Sequence, residues 1–179
     1  MKKAKQFYLS IIVICLIIIS VSIYYSLGGF EKMQVFEFDG TGRTVIGRHY
    51  IGRYTSDKVK DFYLETKALI DSGKLKGRVA LVEYKNDTIG QDSVHLFIGA
   101  SFDEIRSILE IPSGYTYEEY KTSKIYRVFI TQHPLVRPTP DKVRSLLEVK
   151  SIEDGKVLQP YSFDIYYPDG SWCTEAWVK

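Results

Sequence analysis

The pattern of apolar and polar residues divides the chain into one long uncharged run and a series of short alternating segments. Residues 7–27 contain no charge and no proline. A helix rises ~1.5 Å per residue, so a run of this length can cross a hydrocarbon core of ~30 Å. Three lysines precede the run within residues 1–6, whereas Lys32 is the only early cation after it. This asymmetry predicts a cytoplasmic tail over 1–6 and a transmembrane anchor over 7–27, with the domain outside the cytoplasm, periplasmic if the cell is bacterial.

A cleaved signal peptide is the alternative interpretation of the same run. Signal peptides have an apolar core of ~7–15 residues that ends at a small-x-small cleavage site. Here the run is longer, and it ends in Tyr24-Tyr25-Ser26-Leu27 before Gly28-Gly29, which is a poor cleavage site. We therefore expect an uncleaved single-pass anchor whose partner is the lipid bilayer.

From residue 33 onward the pattern indicates strands and two helices, in the same order in each half of the remaining chain. The first helix is expected around Val59–Ile70 after a cap at Ser56 or Asp57, and the second is expected to begin at Thr139. The strands are predicted at 33–38, 44–50, 79–84 and 94–102 in the first half, and at 115–120, 125–131, 163–167 and 172–178 in the second. Turns are predicted at 39–42, as a hairpin, at Asn86-Asp87 and at 168–170.

This repeated order predicts an α+β fold built by duplication. Each half reads strand, strand, helix, strand, strand, with modules at about 33–103 and 114–179 of a domain spanning 33–179. Two such modules are expected to join about a pseudo-twofold axis and to share a cleft.

Composition narrows the classes of partner. The net charge is +2, and the three lysines of the tail account for more than this, so the rest of the chain is close to neutral and slightly acidic. Nucleic acid is therefore not expected as a partner, because phosphate binding needs a basic face. Cys15 and Cys173 cannot form a disulfide within one chain, since one lies in the anchor. His49, His95 and His133 lack metal-ligand spacing. We expect a monomer with no metal and no cofactor.

Three stretches of the chain resemble the GyrI-like small-molecule-binding domain, also called the effector-binding or SOUL-related domain. They are His49 to Tyr54 before the first helix, Phe129 to Pro134 before the second, and Phe163 to Gly170 followed by Thr174 to Val178. The resemblance covers about 35–178. It departs from the family in the spacing from His49 to Gly52 and in having Pro134 where glycine is common. It implies a cleft between the modules that binds lipophilic, often cationic, small molecules, with an acidic residue at the position of Glu175.

Alternation on the last strand shows how that acidic residue would be presented. Trp172, Thr174, Ala176 and Val178 share one face, whereas Cys173, Glu175 and Trp177 share the other. A desolvated carboxylate needs a cation, and a ligand cation stacked on aromatic rings would supply it. The alternative is that Glu175 faces solvent. The candidate ligand-binding residues are Glu175, Trp177, Tyr54, Tyr50 and Phe97, with Gly99 beside Phe97 leaving room for the ligand.

Three functions from different classes remain open from the sequence. The leading one is a membrane-anchored protein that captures lipophilic or cationic small molecules in the cleft between the modules. The second is a hydrolase of reactive electrophiles in which burial raises the pKa of Glu175 so that it acts as a general base. The third is a membrane-tethered adaptor. No nucleophile motif, phosphate loop or dinucleotide fingerprint is present, so no catalytic residue is assigned.

Overall fold

The computed structural model describes residues 2–40, 42–85, 90, 93–102 and 111–179, with side chains of the first helix described at Tyr8 and from Ile11 onward. The turn predicted at Asn86-Asp87 lies outside these residues. The elements in chain order are α1 (Lys2–Ser26), β1 (Val35–Asp39), β2 (Arg43–Gly52), α2 (Asp57–Asp71), β3 (Arg78–Tyr84), β4 (Val94–Phe102), β5 (Thr116–Tyr120), β6 (Lys124–Ile130), α3 (Pro140–Glu153), β7 (Leu158–Tyr166) and β8 (Trp172–Val178).

The chain divides into two compact units. The first unit comprises Met1–Lys32 and Thr131–Pro138 and contains α1. In it, the backbone N–H of His133 donates to the carbonyl of Leu27 over 3.2 Å. Within the described residues, no helix combines the length and the apolarity that a membrane crossing requires.

The second unit contains an antiparallel sheet of eight strands in the order β1-β6-β8-β7-β3-β4-β2-β5. Both halves of the chain follow the predicted order of strand, strand, helix, strand, strand. The first strand of each half, however, pairs in the other half: β1 pairs with β6, and β5 pairs with β2. The predicted hairpin at 39–42 is therefore wrong, because β1 and β2 lie in different parts of the sheet. Turn residues indicate that the chain changes direction, but they do not determine which strand it pairs with.

Helices α2 and α3 begin where the sequence predicts, and both pack on the same face of the sheet. The Ser56 side chain accepts a hydrogen bond from the backbone N–H of Lys58 at the start of α2, and Thr139 does the same for Lys142 at the start of α3. Val59 of α2 packs against strands β3 and β4, and α3 packs against β6 and β8. We call the sheet face under the helices the helix face and the opposite face the inner face.

Strand β7 departs from its predicted bounds. It begins at Leu158 rather than at residue 163, and its pairing with β8 shifts register between Leu158 and Ser162. Pro160 lies in this irregular stretch, and its carbonyl accepts a hydrogen bond from the backbone N–H of Lys85 over 2.7 Å. A proline and a register shift interrupt the alternation of apolar and polar residues here. The sequence pattern therefore does not indicate a strand before residue 163.

The sheet curls around its inner face. Strands β4, β3 and β7 separate β2 from β8, which in a flat sheet would place these two strands ~19 Å apart at ~4.8 Å per strand. Nevertheless, Nη2 of Arg43 on β2 lies 3.1 Å from Oε1 of Glu175 on β8. The Tyr120 ring on the terminal strand β5 likewise lies 6.3 Å from the Trp177 ring on β8. The centre of the inner face is therefore a filled interior rather than an open cleft.

Candidate functional site

The strand register aligns one row of side chains across seven strands of the inner face. Each member is the direct cross-strand neighbour of the next, and Glu175 of β8 lies between β6 and β7. In order from β1 to β2, the row is Phe36, Arg127, Glu175, Phe163, Val82, Phe97 and His49. The adjacent charged residues Arg127 and Glu175 thus lie beside a buried apolar centre of Phe163, Val82 and Phe97, and the row ends at His49 on one side and at Phe36 on the other.

Glu175 is completely buried and is held by groups of the protein itself. Its Oε1 lies 3.1 Å from Nη2 of Arg43 and 2.5 Å from Nη2 of Arg127. The indole N–H of Trp177 donates to Oε2 over 3.1 Å. The carboxylate lies on the face that alternation predicts, but its cations are two guanidinium groups of the protein. Because both oxygens already accept hydrogen bonds, the geometry does not favour Glu175 as a base that activates water.

Trp177 and Phe97 lie on the same inner face as Glu175. The Trp177 ring stacks on Phe163 with centroids 4.7 Å apart, and Phe97 lies under the His49 ring at 4.5 Å. Both side chains are fully buried. They therefore form the floor of this face, beneath residues that are more exposed.

Tyr50 and Tyr54 lie elsewhere, so the structure does not bring all five predicted ligand residues together. Tyr50 follows His49 by one residue and so points to the helix face, where it packs with Val59 and donates its hydroxyl to the carbonyl of Arg53 over 2.9 Å. Tyr54 precedes α2 and is 41% exposed. Burial, and then the nearby Asp164 carboxylate, raise the pKa of Tyr54. The period of two along β2 directs Tyr50 away from the face of Glu175, and Tyr54 lies beyond the end of that strand.

Gly99 does not make room for a ligand. It pairs with Gly47 across β4 and β2. A Cβ atom built on Gly99 would lie 2.0 Å from the carbonyl oxygen of Ile46, and one on Gly47 would lie 2.4 Å from that of Ile98. The two glycines therefore permit a close approach of neighbouring backbones, which is a structural requirement of the curled sheet.

A carboxylate that the sequence reasoning missed lies at the more open end of the inner face. Glu118 of β5 accepts hydrogen bonds from the hydroxyls of Tyr84 and Tyr120. Its Oε1 also lies 3.0 Å from Nε2 of His49, and its side chain is 32% exposed. We call the group of Glu118, Tyr84, Tyr120, Tyr161, His49 and His95 the Glu118 site.

Aromatic rings form the walls of the Glu118 site. The rings of Tyr84 and His95 stack with centroids 4.5 Å apart, and those of Tyr120 and Tyr161 meet edge to face at 5.1 Å. The His49 ring lies 5.2 Å from the His95 ring. The members come from strands of both halves of the chain. Sequence reasoning missed the site because β5 was expected in the second module, whereas it pairs with β2 of the first.

The protonation of these side chains fixes the direction of their hydrogen bonds. Burial, and then the hydrogen bond to Glu118, raise the pKa of Tyr84 and of Tyr120, so both hydroxyls stay protonated and donate. Burial, and then the neighbouring His49, lower the pKa of His95 below its ordinary value. Nε2 of His95 lies 3.1 Å from Nδ1 of His49. A carboxylate can accept about four hydrogen bonds, so Glu118 keeps capacity for a further partner on its exposed side.

No metal-binding arrangement is found in the described part of the chain. His49 contacts His95 through Nδ1 and Glu118 through Nε2. The two contacts lie on different sides of the imidazole ring, so the three groups do not converge on one point as ligands of a single ion would.

A second group of ionised side chains lies on the helix face. Nη2 of Arg144 on α3 lies 2.6 Å from Oε2 of Glu83 and 3.2 Å from Oδ2 of Asp164. Thr174 donates to the other Asp164 oxygen over 2.7 Å. Burial raises the pKa of both Glu83 and Asp164, although Arg144 opposes this shift. A cavity of about 780 Å³ between α3 and β7 includes Glu83 and Arg144 in its lining. Because Arg144 contacts both carboxylates within the protein, we regard the group as structural.

Comparison with known proteins shows a fold and no family. No protein-family description matches the sequence, and no curated protein matches it. The C-terminal domain of EcmrR matches with a TM-score of 0.53 at 11% identity, over 83% of this chain and 97% of that one. EcmrR in a complex with DNA matches with a TM-score of 0.53 at 12% identity, over 97% of this chain and 68% of that one.

A third similar structure is a hydrolase from Listeria innocua. It matches with a TM-score of 0.52 at 8% identity, over 82% of this chain and 92% of that one. Identities this low establish likeness of fold alone. The likeness is consistent with the α+β, GyrI-like fold predicted from the sequence.

Proposed function

We propose that the domain binds a small organic cation with an apolar body at the Glu118 site. The observation that carries the proposal is a half-exposed carboxylate ringed by aromatic side chains. Glu118 is 32% exposed, whereas the carboxylate of Glu175 is fully buried and paired. A cation gains most where aromatic faces and a carboxylate can contact it together. The GyrI-like fold, with which the similar structures are consistent, supports a small-molecule ligand as well.

The predicted residues Glu175, Trp177 and Phe97 have a supporting role in this proposal. Glu175 accepts the indole N–H of Trp177, and the Trp177 ring lies 6.2 Å from that of Tyr161 in the wall of the site. Phe97 supports His49 from below. The interior thus fixes the positions of the rings, and Glu118 supplies the charge that a ligand meets.

The proposal is tested by the affinity of the full-length protein for (2-naphthylmethyl)trimethylammonium, measured by isothermal titration calorimetry. Glu118→Gln keeps the shape of the side chain and removes its charge. Loss of a charge-assisted contact costs ~1.5–3 kcal/mol, so the affinity should fall about 10- to 100-fold. Glu119→Gln is the matched control, because it makes the same change one residue along β5 on an exposed side chain. Equal affinities of the two variants would overturn the proposal.

We propose in addition that the uncharged run over residues 7–27 tethers the domain to a membrane, with the domain outside the cytoplasm. The uncharged run over 7–27 and the lysines before it support this, as do the exposed apolar side chains of α1, among them Ile12, Leu16 and Ile19. Protease added to intact spheroplasts should digest the domain. Protection of the domain until the membrane is lysed would contradict the orientation, and release from membranes by alkaline carbonate would contradict the anchor.

A further inference from the structure

The end of the inner face at β1 and β6 carries a second aromatic group, built around a guanidinium. Arg127 lies over the ring of Phe38 at 4.8 Å and over that of Phe129 at 5.6 Å. The ring of Phe36 meets that of Phe129 edge to face at 6.1 Å. We call Phe36, Phe38, Arg127 and Phe129 the Arg127 patch. Its three phenylalanines are 44%, 39% and 39% exposed in chain order, so they form an apolar surface open to solvent.

Arg127 is only partly compensated by the carboxylate that it contacts. Its Nη2 lies 2.5 Å from Oε1 of Glu175, but the same oxygen also contacts Arg43, and the other oxygen accepts the Trp177 indole. The Nε of Arg127 is buried and, like that of Arg48, has no hydrogen-bond partner among the described residues, so only the terminal nitrogens can meet a ligand. A guanidinium offers five N–H donors, and the side chain of Arg127 is 21% exposed. It therefore has both charge and donors available to a partner from solvent.

The acidic residue nearest along β1 does not serve Arg127. Glu37 lies between Phe36 and Phe38 in sequence, so alternation directs it away from the inner face. Its carboxylate pairs with Lys124 instead. The described residues thus give Arg127 a single acidic contact, which it shares.

Arg48 on the helix face also lies over aromatic rings, but it pairs with a carboxylate through both of its terminal nitrogens. Its guanidinium also lies over two rings, at 5.4 Å from Phe62 and 4.3 Å from Tyr115, and its side chain is 24% exposed. Glu65, however, accepts from both of its terminal nitrogens, over 3.0 Å and 2.8 Å. Both arginines therefore contact aromatic rings. Only Arg127 shares its carboxylate with a second arginine.

We propose that the Arg127 patch is a binding site for a small anion with an aromatic body, such as an aryl carboxylate. The carboxylate would pair with the exposed side of the guanidinium in a charge-assisted contact. The aromatic body would cover Phe129 and Phe36, which otherwise expose their rings to water. This site lies at the opposite end of the row from His49 and selects the opposite charge, so it is independent of the cation site at Glu118.

The test is a titration of the full-length protein with 2-naphthoate and with 2-naphthamide, which has a similar shape and no charge. The wild type should bind the carboxylate at least about tenfold more tightly than the amide, the usual scale for one charge-assisted contact. Arg127→Lys keeps the positive charge but removes the planar fork, and Phe129→Ala removes half-exposed apolar surface. Each should weaken naphthoate binding about fivefold or more, and Arg48→Lys should leave it unchanged.

If Arg127→Lys fails to fold, Phe129→Ala still tests the anion site, because Phe129 is not part of the buried core. Equal binding of naphthoate and naphthamide would overturn the proposal, as would equal effects of the Arg127 and Arg48 substitutions. Strand β1 lies at the edge of the sheet, so the patch has self-association as a competing role. A change of sedimentation coefficient in Phe129→Ala, with naphthoate affinity unaltered, would assign the patch to that role and overturn the anion site.

Discussion

Arg43 and Glu175 form a buried ion pair of 3.1 Å between β2 and β8, which are separated by three strands in the sheet. The contact requires the sheet to curl, and it occupies the carboxylate that the sequence analysis assigned to a ligand. Arg127 contacts the same oxygen from β6. The acidic residue predicted to attract a cation is therefore an internal connection between the two halves of the fold, and the exposed negative charge lies at Glu118.

Glu175→Gln is expected to destabilise the protein, because it removes the buried carboxylate that both Arg43 and Arg127 contact. Removal of one partner of a buried pair costs ~3–5 kcal/mol. Urea denaturation followed by tryptophan fluorescence measures the free energy of unfolding, with Glu119→Gln as the exposed control. A loss below ~1 kcal/mol in Glu175→Gln, together with weaker binding of cations, would instead make Glu175 the partner of the ligand.

Gly99→Ala is expected to destabilise the sheet through a steric clash. A Cβ atom at this position would lie 2.0 Å from the carbonyl oxygen of Ile46, a backbone atom that cannot move aside locally. Overpacking of this kind costs ~1–3 kcal/mol or more. Gly90→Ala is the control, since no atom of the residues that the structure describes lies within 4 Å of its added Cβ. If the thermal midpoints of both variants equal that of the wild type, the close approach of β2 and β4 described here is contradicted.

The stability of the protein should decrease in mild acid partly because of His95. Burial, and then His49, lower the pKa of His95 from its ordinary 6.5. A histidine whose pKa is lower in the folded than in the unfolded chain contributes fully above 6.5, and this contribution is lost as the pH falls toward the folded pKa. His95→Gln should therefore lose less stability than the wild type between pH 7 and pH 5.

The measurement for this prediction is the free energy of unfolding across that range in the wild type, His95→Gln and His133→Gln. His133 is exposed and lies outside the sheet, so its substitution should leave the pH profile unchanged. Parallel profiles for the wild type and His95→Gln would show that the environment of His95 does not disfavour its charged form.

Local signals were sufficient to predict the elements of the fold but not how the strands pair. Thr139 between two prolines identifies the start of α3 in the sequence, and the alternation of β8 correctly places Glu175 and Trp177 on one face. The exchange of β1 and β5 between the halves depends on contacts between distant segments. Arg43 and Glu175 are 132 residues apart in the sequence, and no periodicity in either strand indicates that they meet.

The same limit explains the missed site residue. Glu118 and Tyr120 alternate on β5 like the residues of any half-exposed strand, and Tyr84 lies 34 residues before Glu118. The importance of Glu118 becomes visible only when β5 is paired with β2, which brings His49 beside it. Tyr50 and Tyr54 were included because they flank the motif that carries the family resemblance, although the period of two excludes Tyr50 from the inner face.

If Glu118 provides the negative charge that selects a cation, removal of this charge should affect charged ligands alone. (2-Naphthylmethyl)trimethylammonium and its uncharged carbon analogue, 2-neopentylnaphthalene, have the same shape, and each is titrated into the wild type and Glu118→Gln. The substitution should weaken binding of the cation about 10- to 100-fold and change the affinity for the neutral compound less than about twofold. Equal losses for both compounds, or no loss for either, would contradict this role of Glu118.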